Sequence, residues 1–279
     1  MKKLFLILFA AVGLLSCAAQ KSQTDTIVVA SERLETPMKV CVTVPAQALS
    51  EDGQGKRYPV LYLLHGYGGD YSNWVRMGGN IDSLATVNEM IVVCPDGRNS
   101  WYWDSSFIQK MQVESFITKD LIPAIDASYP TKASADFRAV TGLSMGGQGA
   151  MFLAIRHPEL FSAAGSMSGG LDIRPFQDRW KMKDAIGSIK ENPEEWEWRS
   201  IYNLCDSLKP GQLDIIFDCG VDDFFHQVNL NLHNKLVEKK IAHDYISRPG
   251  NHNWKYWRNS LPYQMMFFRQ KFASRNNGQ

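Results

Sequence analysis

The segment Gly142-Leu143-Ser144-Met145-Gly146-Gly147 constrains this chain more than any other. It follows the strand-like run Phe137–Thr141 and precedes Met145–His157, which carries Ala, Met and Leu in a helical setting. The pattern is G-x-S-x-G between a strand and a helix. A chain that passes from strand to helix in so few residues must turn sharply, which strains the backbone of the serine. Gly142 and Gly146 flank it because side chains there would collide. The turn lifts the Ser144 hydroxyl above the sheet edge. It also aims the amide of Met145, at the helix N-terminus, towards any negative charge that develops there. Ser144 is therefore the candidate nucleophile, and the rest of the chain must build a sheet beneath it.

Val60–Leu64 and Met90–Cys94 are continuous apolar runs, as expected of strands buried on both faces. Phe161–Ser168, Leu213–Cys219 and Asp244–Ser247 continue the series. Phe116–Tyr129 has helical spacing, and Val228–Lys240 is amphipathic. Thr26–Ala30 and Met38–Val44 look like leading antiparallel strands. This alternation predicts an α/β fold with a mostly parallel central sheet flanked by helices. Ligands of such sheets bind at the carboxyl ends of the strands, where the motifs fall. Leu171–Gly211 breaks the alternation and reads as a partly helical insertion over the site, its tryptophans (Trp180, Trp196, Trp198) serving packing more than substrate contact. No repeat or Pro/Gly-rich linker divides the chain after residue 26, so residues 26–279 read as one domain. The composition, 44% hydrophobic and 21% charged, suits a packed core. A formal charge of +1 with no basic stripe argues against a nucleic-acid partner.

A serine hydroxyl needs a base to take its proton. In folds of this type the order along the chain is Ser, then Asp or Glu, then His. His65 precedes the serine, and His157 ends the helix after it. His226 and His233 belong to a helix packed on the sheet, and His243 opens a strand. His252 lies in Pro249-Gly250-Asn251-His252-Asn253-Trp254, a turn just after the last strand, and is the candidate base. The acid should follow Leu213–Cys219, where both Asp222 and Asp223 qualify; Asp218 lies inside the strand. Either aspartate could instead cap the next helix. The Gly-rich loop His65-Gly66-Tyr67-Gly68-Gly69 offers the amide of Tyr67 as a second donor, with Met145, for an oxyanion. His65 itself suits a structural role in that loop. No CxxC or Cys/His cluster has zinc spacing, so neither a metal nor another cofactor is expected.

The N-terminus reads Met1-Lys2-Lys3 and then the apolar run Leu4–Leu15, a signal-peptide pattern. The run falls short of the roughly 20 residues that a spanning helix needs. Leu14-Leu15-Ser16-Cys17 resembles a bacterial lipobox. The expectation is removal of residues 1–16, lipidation of Cys17 and a polar linker over 17–25. The chain would then be an exported lipoprotein on the periplasmic face of a bacterial envelope, touching the membrane only through its anchor. A plain signal cleaved near Ala18 is the alternative. Of the remaining Cys41, Cys94, Cys205 and Cys219, the pairing is not readable. Cys94 and Cys219 end apolar runs, as buried free thiols do.

Taken together, these segments resemble the esterase family of the α/β-hydrolase fold that contains esterase D (S-formylglutathione hydrolase), feruloyl esterase domains and the antigen 85 mycolyltransferases. The resemblance runs from about Met38 to Phe272. It is strongest at Tyr62–Gly69, Gly142–Gly147 and Pro249–Trp254. It implies a serine carboxylic-ester hydrolase and places the acid at Asp223, the last position of Cys219-Gly220-Val221-Asp222-Asp223. It also implies that Asn99–Ser105 lies near the site, which makes Trp101 and Tyr102, with Trp254, candidate substrate contacts. The loop after His65-Gly66 departs from the Leu-Thr form of esterase D, against a glutathione thioester. The expected substrate is a small-molecule or oligosaccharide ester, with acetyl or feruloyl-type groups on sugars or plant polysaccharide fragments. Acyl transfer to a sugar acceptor and a catalytically silent binding lipoprotein are the alternatives.

Overall fold

A computed structural model describes residues 22–276; the expected signal segment and Cys17 lie outside the described residues. The apolar runs form β1 (Gln23–Val29), β2 (Met38–Val44), β3 (Val60–Leu64), β4 (Ile91–Pro95), β5 (Arg138–Gly142), β6 (Ala163–Met167), β7 (Asp214–Gly220) and β8 (Asp244–Arg248). They make one sheet in the order β1-β2-β4-β3-β5-β6-β7-β8. β2 pairs antiparallel with both β1 and β4. The pairs from β4 to β8 are all parallel.

Alternation along β3 explains its unbroken apolar run. Val60, Tyr62 and Leu64 join the core on one face of the sheet, while Leu61 and Leu63 join the core on the other. Each fully buried Val or Leu among them contributes about 1.5–3 kcal/mol. The first face is covered by α2 (Met145–Arg156) and α3 (His226–Glu238), through residues such as Met151, Phe152, Leu232 and Leu236. The second is covered by α1 (Ile81–Asn88) and α4 (Trp254–Asn276), through Ile81, Trp257, Leu261 and Phe268. The helical spacing over Phe116–Tyr129 resolves into Val113–Phe116, a π turn at Ile117–Leu121, and Ile122–Ser128. Among the described residues, no helix is long and apolar enough to cross a membrane.

β1 starts earlier than its composition suggests. Gln23, Thr24 and Asp25 are paired strand opposite Val44, Thr43 and Val42, not linker. The Thr24 and Thr43 hydroxyls lie 2.9 Å apart. An edge strand leaves many side chains in water, so polar residues there give no hydrophobic signal. All four described cysteines are buried free thiols, including Cys41 and Cys94, which face each other across β2 and β4.

The insertion after β6 contains the short helices Met182–Ile186, Pro193–Arg199 and Ile201–Leu204. It is moored by Gln148 Nε2 donating to the Arg199 carbonyl at 2.8 Å and by Arg199 donating to the Asp104 carbonyl at 2.9 Å. Trp196 is fully buried, and Arg199 lies 3.9 Å above the Trp198 ring.

A charged tie closes the far end of α2. Glu114 accepts from His157 Nε2 at 2.8 Å and from Arg156 Nε at 2.7 Å. The Glu114 hydrogen bond holds His157 above its ordinary pKa, against the pull of burial. Burial pushes Glu114 up, but the bonds from His157 and Arg156 outweigh it and hold the carboxyl low. A raised histidine stabilises fully below its unfolded value, about 6.5, and the gain fades as pH rises through the folded value. A depressed glutamate stabilises above its unfolded value, about 4.3, and loses this as pH falls. The Tm difference between wild type and His157→Gln should therefore be largest near pH 5.5 and shrink by pH 8.5. A difference that stayed flat across that range would rule out the charged tie.

Candidate active site

Ser144 stands between β5 and α2 with φ 54° and ψ −117°. A non-glycine residue at positive φ costs on the order of 1–3 kcal/mol and persists only where its surroundings hold it. The Ser144 N–H donates to the Met167 carbonyl at 2.9 Å, and the Gly146 N–H to the Leu143 carbonyl at 2.7 Å. The glycines of the turn are required by close approach. A Cβ on Gly142 would lie 2.6 Å from the Leu64 carbonyl oxygen, and one on Gly146 2.6 Å from the His65 oxygen.

β7 ends at Gly220, and the turn after it separates the two candidate acids. Asp222 is exposed and uses its backbone N–H, which donates to the Gly250 carbonyl at 2.9 Å. The Asp223 carboxylate is fully buried. One of its oxygens accepts the Phe225 N–H at 2.8 Å, and the other meets His252 Nδ1 at 2.9 Å. His252 sits in the loop between β8 and α4, where Asn253 caps the helix by accepting the Tyr256 N–H at 3.0 Å. His252 Nε2 lies 2.9 Å from Ser144 Oγ. A buried carboxylate on Nδ1 keeps the proton there and leaves the Nε2 lone pair facing the hydroxyl. The arrangement can take the serine proton and stabilise the imidazolium that results.

The Gly-rich loop after β3 faces Ser144 from the other side. Among the described residues, neither the Tyr67 N–H nor the Met145 N–H has a hydrogen-bond acceptor. His65 is buried and structural: its Nε2 accepts the Gly97 N–H at 2.8 Å, so Nδ1 carries the proton and donates to the Gly66 carbonyl at 2.8 Å.

Trp101 and Tyr102 do not reach the cleft, which corrects the expectation that they contact substrate. They are 2% and 0% exposed. Consecutive left-handed φ values of 58° and 62° turn both rings into the core. The segment instead braces the loop from below. Tyr102 Oη donates to the His65 carbonyl at 3.1 Å, and Asn99 Oδ1 accepts the Gly68 N–H at 2.7 Å. Trp254 does line the cleft, a hollow of about 620 Å³ that also includes Asn73, Trp180, Phe224, Asn253 and Trp257. Phe224 lies 4.3 Å from the His252 ring, centre to centre. Trp180, expected from the sequence to serve packing more than substrate contact, lines the cleft as well, which corrects that weighting. Residue types and spacing gave no signal for Asn73; Phe224 could have been sought as the neighbour of the acid. Among the described residues no group of three or more His, Cys, Asp or Glu is placed to hold a metal ion.

Residues 31–268 match the esterase family model, described as "Putative esterase". The chain belongs to this esterase family. Within reach of this esterase, an "Acetyl esterase" of Caldicellulosiruptor saccharolyticus is 28% identical over 77% of this chain and 85% of its own length. An "Endo-1,4-beta-xylanase/feruloyl esterase" of Xylanibacter ruminicola is 37% identical over 51% of this chain and 21% of its own. A solved structure titled "ferulic acid esterase" is 26% identical with a TM-score of 0.77, covering 91% of this chain and 99% of that one. The esterase is thus an α/β-hydrolase and a serine carboxylic-ester hydrolase. These relatives do not favour the acyl-transfer or silent-binding alternatives.

Proposed function

We propose that this esterase releases acetyl or feruloyl-type acyl groups from sugars or plant polysaccharide fragments, with Ser144, His252 and Asp223 as its triad. The observation that carries the reading is the unbroken line of two 2.9 Å hydrogen bonds from a buried carboxylate, through an imidazole, to a strained serine hydroxyl. His252 Nε2 removes the hydroxyl proton as Ser144 Oγ attacks the ester carbonyl carbon. The Tyr67 and Met145 amides hydrogen-bond the oxyanion of the tetrahedral intermediate, which they meet without reorganisation. Collapse breaks the bond to the alcohol, whose oxygen takes the proton from His252. Water then attacks the acyl-enzyme by the same route, with His252 again taking and returning the proton. Asp223 stays ionised and holds the imidazole in register.

The sugar-ester reading is supported by the names of the acetyl and ferulic acid esterases it resembles. It is also supported by a cleft that joins aromatic walls at Trp180, Phe224 and Trp254 to amide side chains at Asn73 and Asn253. Flat apolar surface with a few polar groups suits a sugar ring and its hydroxyls. A panel of p-nitrophenyl acetate, butyrate and octanoate, methyl ferulate and acetylated xylo-oligosaccharides tests it. The highest kcat/KM is expected on the acetylated or feruloyl substrates, with the octanoate at least tenfold lower. Preference for the octanoate, with no release from sugar esters, would remove the substrate assignment and leave the triad untouched.

A further inference from the structure

Trp180 and Phe224 line two hollows at once. One is the cleft over Ser144; the other, about 310 Å³, is completed by Phe176 and Arg179. The two rings are stacked, 5.9 Å apart at 27°, and Phe176 lies 5.8 Å from Trp180. Phe224 is 53% exposed, an unusual place for a large ring beside a reactive imidazole. Trp180 and Lys181 are consecutive residues at φ 49° and 51°. Bulky residues rarely adopt this conformation, and such strain gathers where a ligand is clamped. Trp180 is braced from behind by Trp101 at 5.8 Å and Phe225 at 5.4 Å.

The chemistry fixes which part of the substrate lies here. The departing alcohol oxygen must take its proton from His252 Nε2, so the alcohol lies on the His252 side. Phe224 rests on that imidazole. The second hollow therefore extends the alcohol side of the cleft. Arg179 at its rim is exposed and has no ion-pair partner among the described residues. An unpaired guanidinium beside aromatic faces suits a carboxylate carried on a sugar ring, whose C–H face can pack on the aromatic rings.

We propose that Phe176, Arg179, Trp180 and Phe224 form a leaving-group subsite that receives the sugar unit next to the esterified one and favours a uronate there. The proposal rests on the sugar-ester reading above and narrows it to esters of acidic oligosaccharides. Hydrolysis of acetylated oligosaccharides of equal length, with and without a uronate branch, tests it at low ionic strength. Wild type should show a kcat/KM ratio of about threefold or more in favour of the acidic ester, the size of one exposed ion pair, and added salt should reduce it. Arg179→Gln should bring the ratio to about one by raising KM for the acidic ester, with kcat little changed. Arg269→Gln should keep the wild-type ratio, since Arg269 lies beside Tyr58, Pro59 and Met90 where β3 and β4 begin, at the opposite end of the sheet from Ser144. A wild-type ratio of one, or a ratio that survives Arg179→Gln, overturns the subsite while hydrolysis of the neutral ester leaves the sugar reading standing. Failure on both sugar esters, with p-nitrophenyl acetate still cleaved, overturns the sugar reading and this inference together.

Discussion

Ser144→Ala lowers kcat on p-nitrophenyl acetate by about 10⁴- to 10⁶-fold, the loss expected when a triad nucleophile is removed. The substitution deletes one oxygen and leaves the rest of the site in place. Alanine keeps the Cβ, so it meets the same strained backbone, and the bonds that hold the turn run through backbone groups: Ser144 N–H to Met167 and Leu143 N–H to Leu64. The side chain loses only its contact with His252. The circular dichroism spectrum and Tm should therefore stay close to wild type, which separates loss of chemistry from loss of fold. Residual activity comes from the oxyanion donors and the cleft. A rate within tenfold of wild type would falsify Ser144 as nucleophile.

Asp223→Asn lowers kcat by about 10⁴-fold, whereas Asp222→Asn changes it by less than about threefold. The adjacent residues have the same side chain and opposite surroundings. An amide at position 223 can still accept the Phe225 N–H, so the turn survives. Its other end presents an NH₂ group to His252 Nδ1, where the carboxylate now accepts. The imidazole is then driven to the other tautomer, with its proton on Nε2 facing Ser144, and no base remains. Asp222 offers the site only its backbone N–H, which the asparagine retains. Steady-state kinetics on the two purified variants decides the matter. Equal losses in both, or a larger loss at 222, would reverse the assignment.

What could be read in the residues follows what burial imposes on them. β3 and β4 were legible because both faces are covered, which forces continuous apolar runs. The serine turn was legible because the close approach of β3 to the turn admits only glycine at 142 and 146. The start of β1 was not, since an edge strand in water imposes no such pattern. Residues alone left Asp222 and Asp223 open, because the choice depends on how the turn from Gly220 winds, and both sequences of bonds suit an aspartate. Trp101 and Tyr102 show a subtler limit. Their place near the site is as the resemblance implies, but two left-handed backbone angles decide that the rings point inward. Trp180 was placed over the site but read as packing, because its face on the cleft is set by how the insertion packs on Trp101 and Phe225.

Ser144 and His252 are 108 residues apart along the chain, and they meet only because parallel strands between them lie in register. Local helix formation brings neither one nearer to the other. During refolding, recovery of turnover should thus trail the far-ultraviolet signal and keep time with the docking of β8 and the helix that follows it, since long-range strand pairing is the slow event. Turnover is in that sense a clock for the last step of assembly, struck only when the two halves of the chain have closed on each other.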